Sequence, residues 1–313
     1  MATQLAHGPI ATYGTESEEG YKWHCRVFYQ DTSGQIFSAI QYAGFWRSEP
    51  LFMAKPSTPL AAVGWKEGKE IRLYCVSVED YLVEWCLSPE KNRYGESEGK
   101  TWRRGDLSSL EVKIAPGSSI AAVGLNGTDL RVYCQEPNTG VIHEYVNRRG
   151  WSLRHTFPAA LEGTGIAAVN WEEDSGRNVR VFYQDQDLNL QEHVCHGQAW
   201  SKAGVNLGPI PKKAPISATA WLNDGSTGSR LRICLYWQDN KGSLTGQEYD
   251  NGWKPIGSVW PMPAGTYLAS LQWARGKAIR VYYQTADAGI SEACFQEGKW
   301  FAGSTVATSE KAE

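Results

Sequence analysis

Residues 179–200 read VRVFYQDQDLNLQEHVCHGQAW. Alternating β-branched and aromatic residues (VRVFYQ), a run of Asp and Asn turn formers (DQDLN) and a second strand-like run (LQEHV) predict a β-hairpin, which Trp200 closes. Arg180 and Glu192 break the rule that such strands carry apolar or neutral groups. They stand twelve positions apart, and a hairpin with this turn returns them to adjacent strands on one face. A single such pair is an ordinary cross-strand ion pair. Its repetition is what matters.

Near copies recur along the chain: CRVFYQDTSGQIFSAIQYAGFW from Cys25, IRLYCVSVEDYLVEW from Ile71, LRVYCQEPNTGVIHEYVNRRGW from Leu130, LRICLYWQDNKGSLTGQEYDNGW from Leu231 and IRVYYQTADAGISEACFQEGKW from Ile279. Each follows a short apolar run ending in or near an aromatic, such as PLAAVGW, SIAAVGL, GIAAVNW and PISATAW. These runs begin near Ile10, Leu60, Ile120, Ile166, Ile216 and Leu268, a period of about fifty residues. Six units of several short strands predict an all-β six-bladed β-propeller, each blade three to four antiparallel strands. Three strands per unit are clear, and the segment after each closing tryptophan is the candidate fourth. The chain, residues 1–313, reads as a single domain with short tails at about 1–7 and 304–313.

A net charge of −3 gives no electrostatic case for nucleic acid or an anionic membrane. No run approaches the ~20 apolar residues that span a bilayer, so membrane insertion is not expected. The N-terminus lacks the pattern of a secretory signal. The expectation is a cytoplasmic protein, or one reaching the cell surface by a non-classical route. Seven widely spaced cysteines without a CxxC pair argue against a disulfide scaffold, and fit small buried hydrophobes in strands.

Four units carry the intact pair: Arg72 with Glu84, Arg131 with Glu144, Arg180 with Glu192, and Arg280 with Glu292. Unit one has Arg26 but Ser38 in place of the carboxylate, and Trp46 closes it. Unit five has Cys234 and Gly246 at the two positions, with Arg232 and Glu248 two residues off on either side, where a register shift brings them together. The charged insertion SPEKNRYGESEGK after unit two is expected to be a solvated loop. Asn126-Gly127-Thr128 matches a glycosylation sequon but reads better as a turn.

A ladder of exposed ion pairs would be worth only ~0.2–1 kcal/mol each, and Arg180→Ala is then expected to leave the fold intact. The persistence of residue type while the turns vary argues for more than a ladder. A guanidinium fork donates to two neighbouring sugar oxygens, a carboxylate accepts from hydroxyls, and an indole packs on a pyranose face or donates its N–H. Carbohydrate recognition needs this set, and the 14 tryptophans and 15 tyrosines suit it.

The repeated [IVL]-R-[VL]-[YF]-x-Q segment, the I-x-E element, the closing tryptophan and the IAAV-type lead strand resemble the Aleuria-type fucose-specific lectins of fungi, over essentially the whole chain. The resemblance implies a six-bladed propeller that binds L-fucose and fucosylated glycans between blades, without catalysis or cofactor, in a family that is often dimeric, so a homodimer is the implied assembly. It implies sugar-binding roles for the four intact pairs, with Trp102, Trp151, Trp200 and Trp300 as their respective aromatic partners, and weaker or altered sites at Arg26 with Trp46 and at Arg232 with Glu248. Four competent sites are expected. Whether such a lectin serves as an adhesin, a defence protein or a storage protein is outside the motif.

Two rival classes are weaker. A propeller glycoside hydrolase needs two carboxylates across one scissile bond, whereas each unit offers one carboxylate beside an arginine and no Asp-box is present. A protein-interaction propeller with structural Arg–Glu pairs lacks the WD and GH signatures. His193-x-x-His196 is expected to be a strand and a turn histidine rather than a metal pair, and no calcium-loop pattern occurs, so binding is expected to be metal-independent.

Overall fold

In a computed structural model, residues 8–16, 23–42, 44–91, 97–125, 127–174, 176–203, 207–223 and 230–308 are described. Blade 1 comprises β1 (Ala11–Glu16), β2 (Trp23–Gln30), β3 (Gln35–Tyr42) and β4 (Phe45–Met53). Blade 2 comprises β5 (Ala61–Trp65), β6 (Glu70–Val76), β7 (Leu82–Lys91) and β8 (Ser97–Arg104), and blade 3 comprises β9 (Ile120–Leu125), β10 (Thr128–Gln135), β11 (Val141–Asn147) and β12 (Trp151–Ala159). Blade 4 holds β13 (Ile166–Glu173), β14 (Gly176–Gln184), β15 (Leu190–His196) and β16 (Ala199–Lys202). Blade 5 holds β17 (Ser217–Leu222), β18 (Leu231–Gln238), β19 (Ser243–Tyr249), β20 (Trp253–Pro255) and the short β21 (Trp260–Pro261). Blade 6 holds β22 (Leu268–Trp273), β23 (Ala278–Gln284), β24 (Ile290–Gln296) and β25 (Lys299–Ala307). Every blade is an antiparallel meander in chain order. The fourth strand of each blade carries the closing tryptophan, which settles the strand count.

The first strands of successive blades contact one another in a closed ring around the axis. Crowding there explains the small residues of the lead motif: Ala11, Ala61, Ala121, Ala167 and Ala269 are all buried. Three of the hairpins turn on the aspartate that follows the second-strand glutamine. Asp31, Asp185 and Asp239 each accept backbone N–H bonds from residues two and four ahead, an Asx-type turn. Among the described residues no helix is long and apolar enough to cross a membrane.

The hydrophobic core is not one mass but six clusters, each between neighbouring blades. One contact recurs at all six interfaces. The buried aromatic two residues after the arginine position meets, edge-on, the closing tryptophan of the following blade: Phe28 with Trp102, Tyr74 with Trp151, Tyr133 with Trp200, Phe182 with Trp253, Tyr236 with Trp300 and Tyr282 with Trp46. Ring centroids lie 5.7–6.3 Å apart, the favoured T-shaped range.

In every blade but the second, whose strand ends at Val76, the glutamine ending the second strand clasps the connection to the next blade. Gln135 donates to Gly140 O and Leu161 O and accepts from Gly163 N, and Gln30, Gln184 and Gln238 do the same in their own blades. In blade 6 the acceptor role falls to the ring closure, where Gln284 Oε1 takes Gly8 N at 3.1 Å. Among the described residues no strand is shared across the closure between blades 6 and 1, so contacts that involve side chains, including Thr12 Oγ1 to Ser270 O, hold it.

Two expectations are corrected. Residues 304–307 are not tail but the end of β25, with Val306 buried, because the fourth strand bends inward to cover the blade 6 core. The charged insertion after unit two lengthens the β7–β8 hairpin, with Lys91 paired to Ser97, the antiparallel ladder running on outward from the Leu87–Trp102 pair. The tip at 92–96, the tail at 1–7, the sequon Asn126 and most of the WLNDGSTGSR tract lie outside the described residues. All seven cysteines are unpaired, six of them buried.

Gln284→Ala leaves the buried Gly8 N–H without its acceptor, a loss of about 1–3 kcal/mol. We expect a lower denaturant midpoint with an unchanged slope in equilibrium unfolding, and an unchanged midpoint would show that the closure does not depend on this clasp.

Candidate functional site

The register explains how each pair meets. In blade 4 Phe182 lies opposite Glu192 and Arg180 opposite Val194, so Arg180 and Glu192 are diagonal neighbours on one face. Blades 2, 3 and 6 repeat this register at Tyr74/Glu84, Tyr133/Glu144 and Tyr282/Glu292. The diagonal places a guanidinium and a carboxylate above the buried aromatic at the mouth of an interblade cleft. Three such clefts are distinct cavities: about 430 Å³ between blades 6 and 1, about 390 Å³ between blades 2 and 3, and about 530 Å³ between blades 3 and 4.

The expectation of exposed ion pairs fails. Arg131, Glu144, Arg180 and Glu192 are all buried, with Arg131 and Glu144 each only 2% exposed. The cause is the neighbouring blade, which covers the face that a lone hairpin would show to water. Removing one member of such a pair strands the other charge, at ~3–5 kcal/mol, so Arg180→Ala tests stability as much as binding.

The four pairs differ in closeness. Arg180 Nη1 meets Glu192 Oε1 at 2.6 Å and Arg131 Nη1 meets Glu144 Oε1 at 3.0 Å. Arg280 Nε stands 3.9 Å from Glu292 Oε2. Arg72 is turned away from Glu84 and donates instead to Glu70 Oε2, Ile71 O and Leu87 O. Burial pushes the Glu84 carboxyl above the usual carboxylate range, although the Leu107 N–H, Arg72, Trp151 and Tyr74 all favour its charge.

The tryptophans partner across the interface, one blade on from the expected assignment. Trp151 Nε1 donates to Glu84 Oε2 at 3.2 Å, Trp200 Nε1 to Glu144 Oε2 at 3.0 Å, and Trp253 Nε1 to Glu192 Oε2 at 3.0 Å. The edge-on aromatic contact dictates this, because it seats each closing indole on the preceding blade beside that blade's carboxylate. At the ring closure the buried Trp46 Nε1 has no partner, while Glu292 Oε1 accepts from Ser304 N at 2.7 Å. Trp102 and Trp300 sit on blades 1 and 5, against Phe28 and Tyr236. Trp253 escaped the sequence reading because its own unit lacks the pair. Its place as a closing tryptophan was the available signal.

A second group of tryptophans was also missed. Arg72, Arg180 and Arg280 lie over Trp65, Trp171 and Trp273, with the guanidinium carbon 4.7, 5.6 and 4.6 Å from the ring centroids. These are the aromatics that end the lead strands, visible in the repeat but read only as core. Each is a cation–π shelf that holds the fork in place. Blade 3 has Leu125 there, and its arginine is held differently. Asp129 takes Arg131 Nε and Nη2 at 3.3 and 3.1 Å and is also paired with Arg148 and Arg177. Burial pushes the Asp129 carboxyl up, but the Arg131 and Arg148 bonds outweigh it and hold it below the usual carboxylate range. Arg131 further donates to Cys195 Sγ and Gly197 O.

Blades 1 and 5 depart as their sequences do. Arg26 is not without a carboxylate: Glu49, on the fourth strand, bonds its Nη1 at 3.0 Å. Arg232 does pair with Glu248, and its Nη1 lies 2.5 Å from Asp250 Oδ2, but this cluster is displaced two residues along the strand from the position of Cys234. His193 and His196 have separate partners, Tyr183 Oη at 3.0 Å and Asn178 Oδ1 at 2.6 Å. No group of metal-ligating side chains occurs among the described residues.

Comparison with known proteins gives the family and the fold. The family described as fungal fucose-specific lectin matches residues 10–309. A fucose-specific lectin of Aspergillus fumigatus is 30% identical over 83% of this chain and 84% of its own length, and one of Aspergillus oryzae is 28% identical over 88% of each. Among solved structures, the six-bladed Aleuria aurantia lectin superposes with a TM-score of 0.84 at 27% identity, over 99% of both chains. A mutant of that lectin in complex with α-methyl-L-fucoside gives the same TM-score.

His193, which follows Glu192 on β15 but faces Tyr183 and Phe157 on the other side of the sheet, gives the fold a pH signature. Burial holds its imidazole down to about 4, with Lys202 and His155 acting in the same direction. The neutral native form is therefore fully favoured above the ordinary value of ~6.5, and stability is lost as pH falls from there toward 4. His193→Gln should shrink the drop in melting temperature between pH 7 and pH 5, and an unaltered drop would show that His193 does not titrate this way.

Proposed function

Because the chain belongs to the fungal fucose-specific lectin family, we propose that its interblade clefts bind L-fucose of fucosylated glycans, several sugars per chain and without catalysis. The observation that carries this reading is the triad at the cleft mouth, complete in blades 3 and 4 and present in part in blades 2 and 6: a fork of donors, a carboxylate, and an indole N–H from the next blade fixed on that carboxylate. The fork donates to adjacent ring and hydroxyl oxygens, and the carboxylate accepts from hydroxyls with its second oxygen already oriented. A 6-deoxy sugar adds a methyl group, which needs an apolar wall. Leu271 and Phe301 offer one in the cleft between blades 6 and 1.

The clefts of blades 2, 4 and 6 share the tryptophan shelf under the arginine and form the principal sites. Blade 3 ranks below them, since Arg131 is already committed to Asp129, Glu144, Cys195 and Gly197 and is almost wholly covered. A sugar there must displace existing bonds. Several modest sites on one rigid ring favour avidity, with gains of ~10²–10⁴-fold on a fucosylated surface.

Titration calorimetry with methyl-α-L-fucoside, in EDTA and with galactose and mannose as controls, should give saturable fucoside heat with three or more sites per chain. No fucoside heat, together with hydrolysis of an aryl glycoside, would overturn the reading. Trp253→Phe keeps the aromatic edge contact but removes the N–H on Glu192. It should weaken one site, that of blade 4, about tenfold, a hydrogen bond to a charged group being worth ~1.5–3 kcal/mol. Unchanged binding would separate the indole from the site.

A further inference from the structure

The residue opposite the carboxylate on the fourth strand decides what each cleft contains. Gly105 N bonds Glu84 O, Ala203 N bonds Glu192 O and Ile256 N bonds Gly246 O, while Glu49 is the register partner of Ser38. These four positions are therefore equivalent. A Cβ on Gly105 would lie 2.2 Å from Glu84 Oε2, and one on Gly303, beside Glu292, would lie 2.1 Å from Glu292 Cγ. A third-strand carboxylate and a fourth-strand side chain thus compete for one volume. Blades 2, 4 and 6 keep glycine or alanine beside the glutamate, whereas in blade 3 the register shifts at Glu144 and His155, its opposite residue, stacks on Trp200 instead.

Blade 1 exchanges the two. Ser38, fully buried, is the small partner on the third strand, and Glu49 on the fourth strand is the large one. Arg26 Nη1 donates to both, at 3.1 Å to Ser38 Oγ and 3.0 Å to Glu49 Oε1. The aromatic contact below is intact, with Trp102 of blade 2 edge-on to Phe28. We infer that Glu49 replaces the missing third-strand carboxylate, so that the cleft between blades 1 and 2 is a further site for a neutral pyranose of the fucose type. Its acceptor arrives from one strand further out and is half-exposed, unlike the buried glutamates of the other blades. Blade 5 shows the opposite outcome of the same competition. Gly246 leaves the space, and Ile256 fills it, with Cδ1 3.3 Å from where a Gly246 Cβ would stand. An apolar plug occupies that position, and no site forms there.

The inference rests on the fucose reading, and one experiment separates the two. Bound methyl-α-L-fucoside is counted per chain by native mass spectrometry for the wild type, Glu49→Ala and the exchange S38E/E49G, with melting temperatures confirming the fold. Glu49 is half-exposed, so its replacement is tolerable. The expected result is one sugar fewer for Glu49→Ala and recovery of that sugar in the exchange variant, which rebuilds the blade 2 arrangement. A wild type that takes no fucoside would defeat the fucose reading itself. A wild type that binds, with the same number bound to Glu49→Ala, would overturn the role of Glu49 alone.

Discussion

An edge-on aromatic contact, made at each of six interfaces, is the constraint on which the rest of this ring depends. The second-strand tyrosine or phenylalanine of one blade receives the closing tryptophan of the next, and the buried clusters build outward from that seat. The ring has no strand exchange to lock it, so the contact between Trp46 and Tyr282 and the bond from Gly8 to Gln284 carry the closure. The same contact also positions chemistry. At blades 2, 3 and 4 the indole seated on the preceding blade points its N–H at that blade's carboxylate, which makes those clefts a property of two blades.

Burial changes what the Arg–Glu pair is. In the open it would be a weak ion pair, but here both charges are desolvated and their geometry is held by groups around them. The tryptophan shelf fixes the guanidinium in three blades, and the partner indole fixes the carboxylate in three. The polar atoms that remain are oriented before any ligand arrives, and this preorganisation lowers the ordering cost of binding. Blade 3 shows the limit of the strategy: when Asp129 takes the fork from behind, the arginine is so well satisfied that less of it is left to offer.

Variation around the ring follows volume as well as charge. The third-strand carboxylate and the fourth-strand residue opposite it share one space, so glycine or alanine accompanies glutamate in blades 2, 4 and 6, a register shift turns His155 onto Trp200 in blade 3, and where the glutamate is lost the space is refilled by Glu49 or Ile256. The glycines at 105 and 303 are needed for this close approach to a side chain and not for a turn. A repeat of fifty residues thus yields clefts of different content on one scaffold.

The periodic sequence determined the blade count, the hairpins, the arginine and glutamate positions and the shared face of each pair, because these depend on residues within about fifteen positions and on the two-residue period of a strand. The lead strands and closing tryptophans were equally legible as elements. What only the tertiary structure decided is which element meets which. Trp151, Trp200 and Trp253 reach carboxylates 67, 56 and 61 residues earlier in the chain, on the neighbouring blade, and no local periodicity encodes that step. The burial of the pairs was hidden for the same reason, since the covering surface belongs to another repeat. Glu49 was hidden because it acts from a strand whose equivalent residues are glycine, alanine, histidine and isoleucine, so no repeated letter marked it. Contacts within a blade are written in the period of the sequence, whereas contacts between blades follow from how the ring closes.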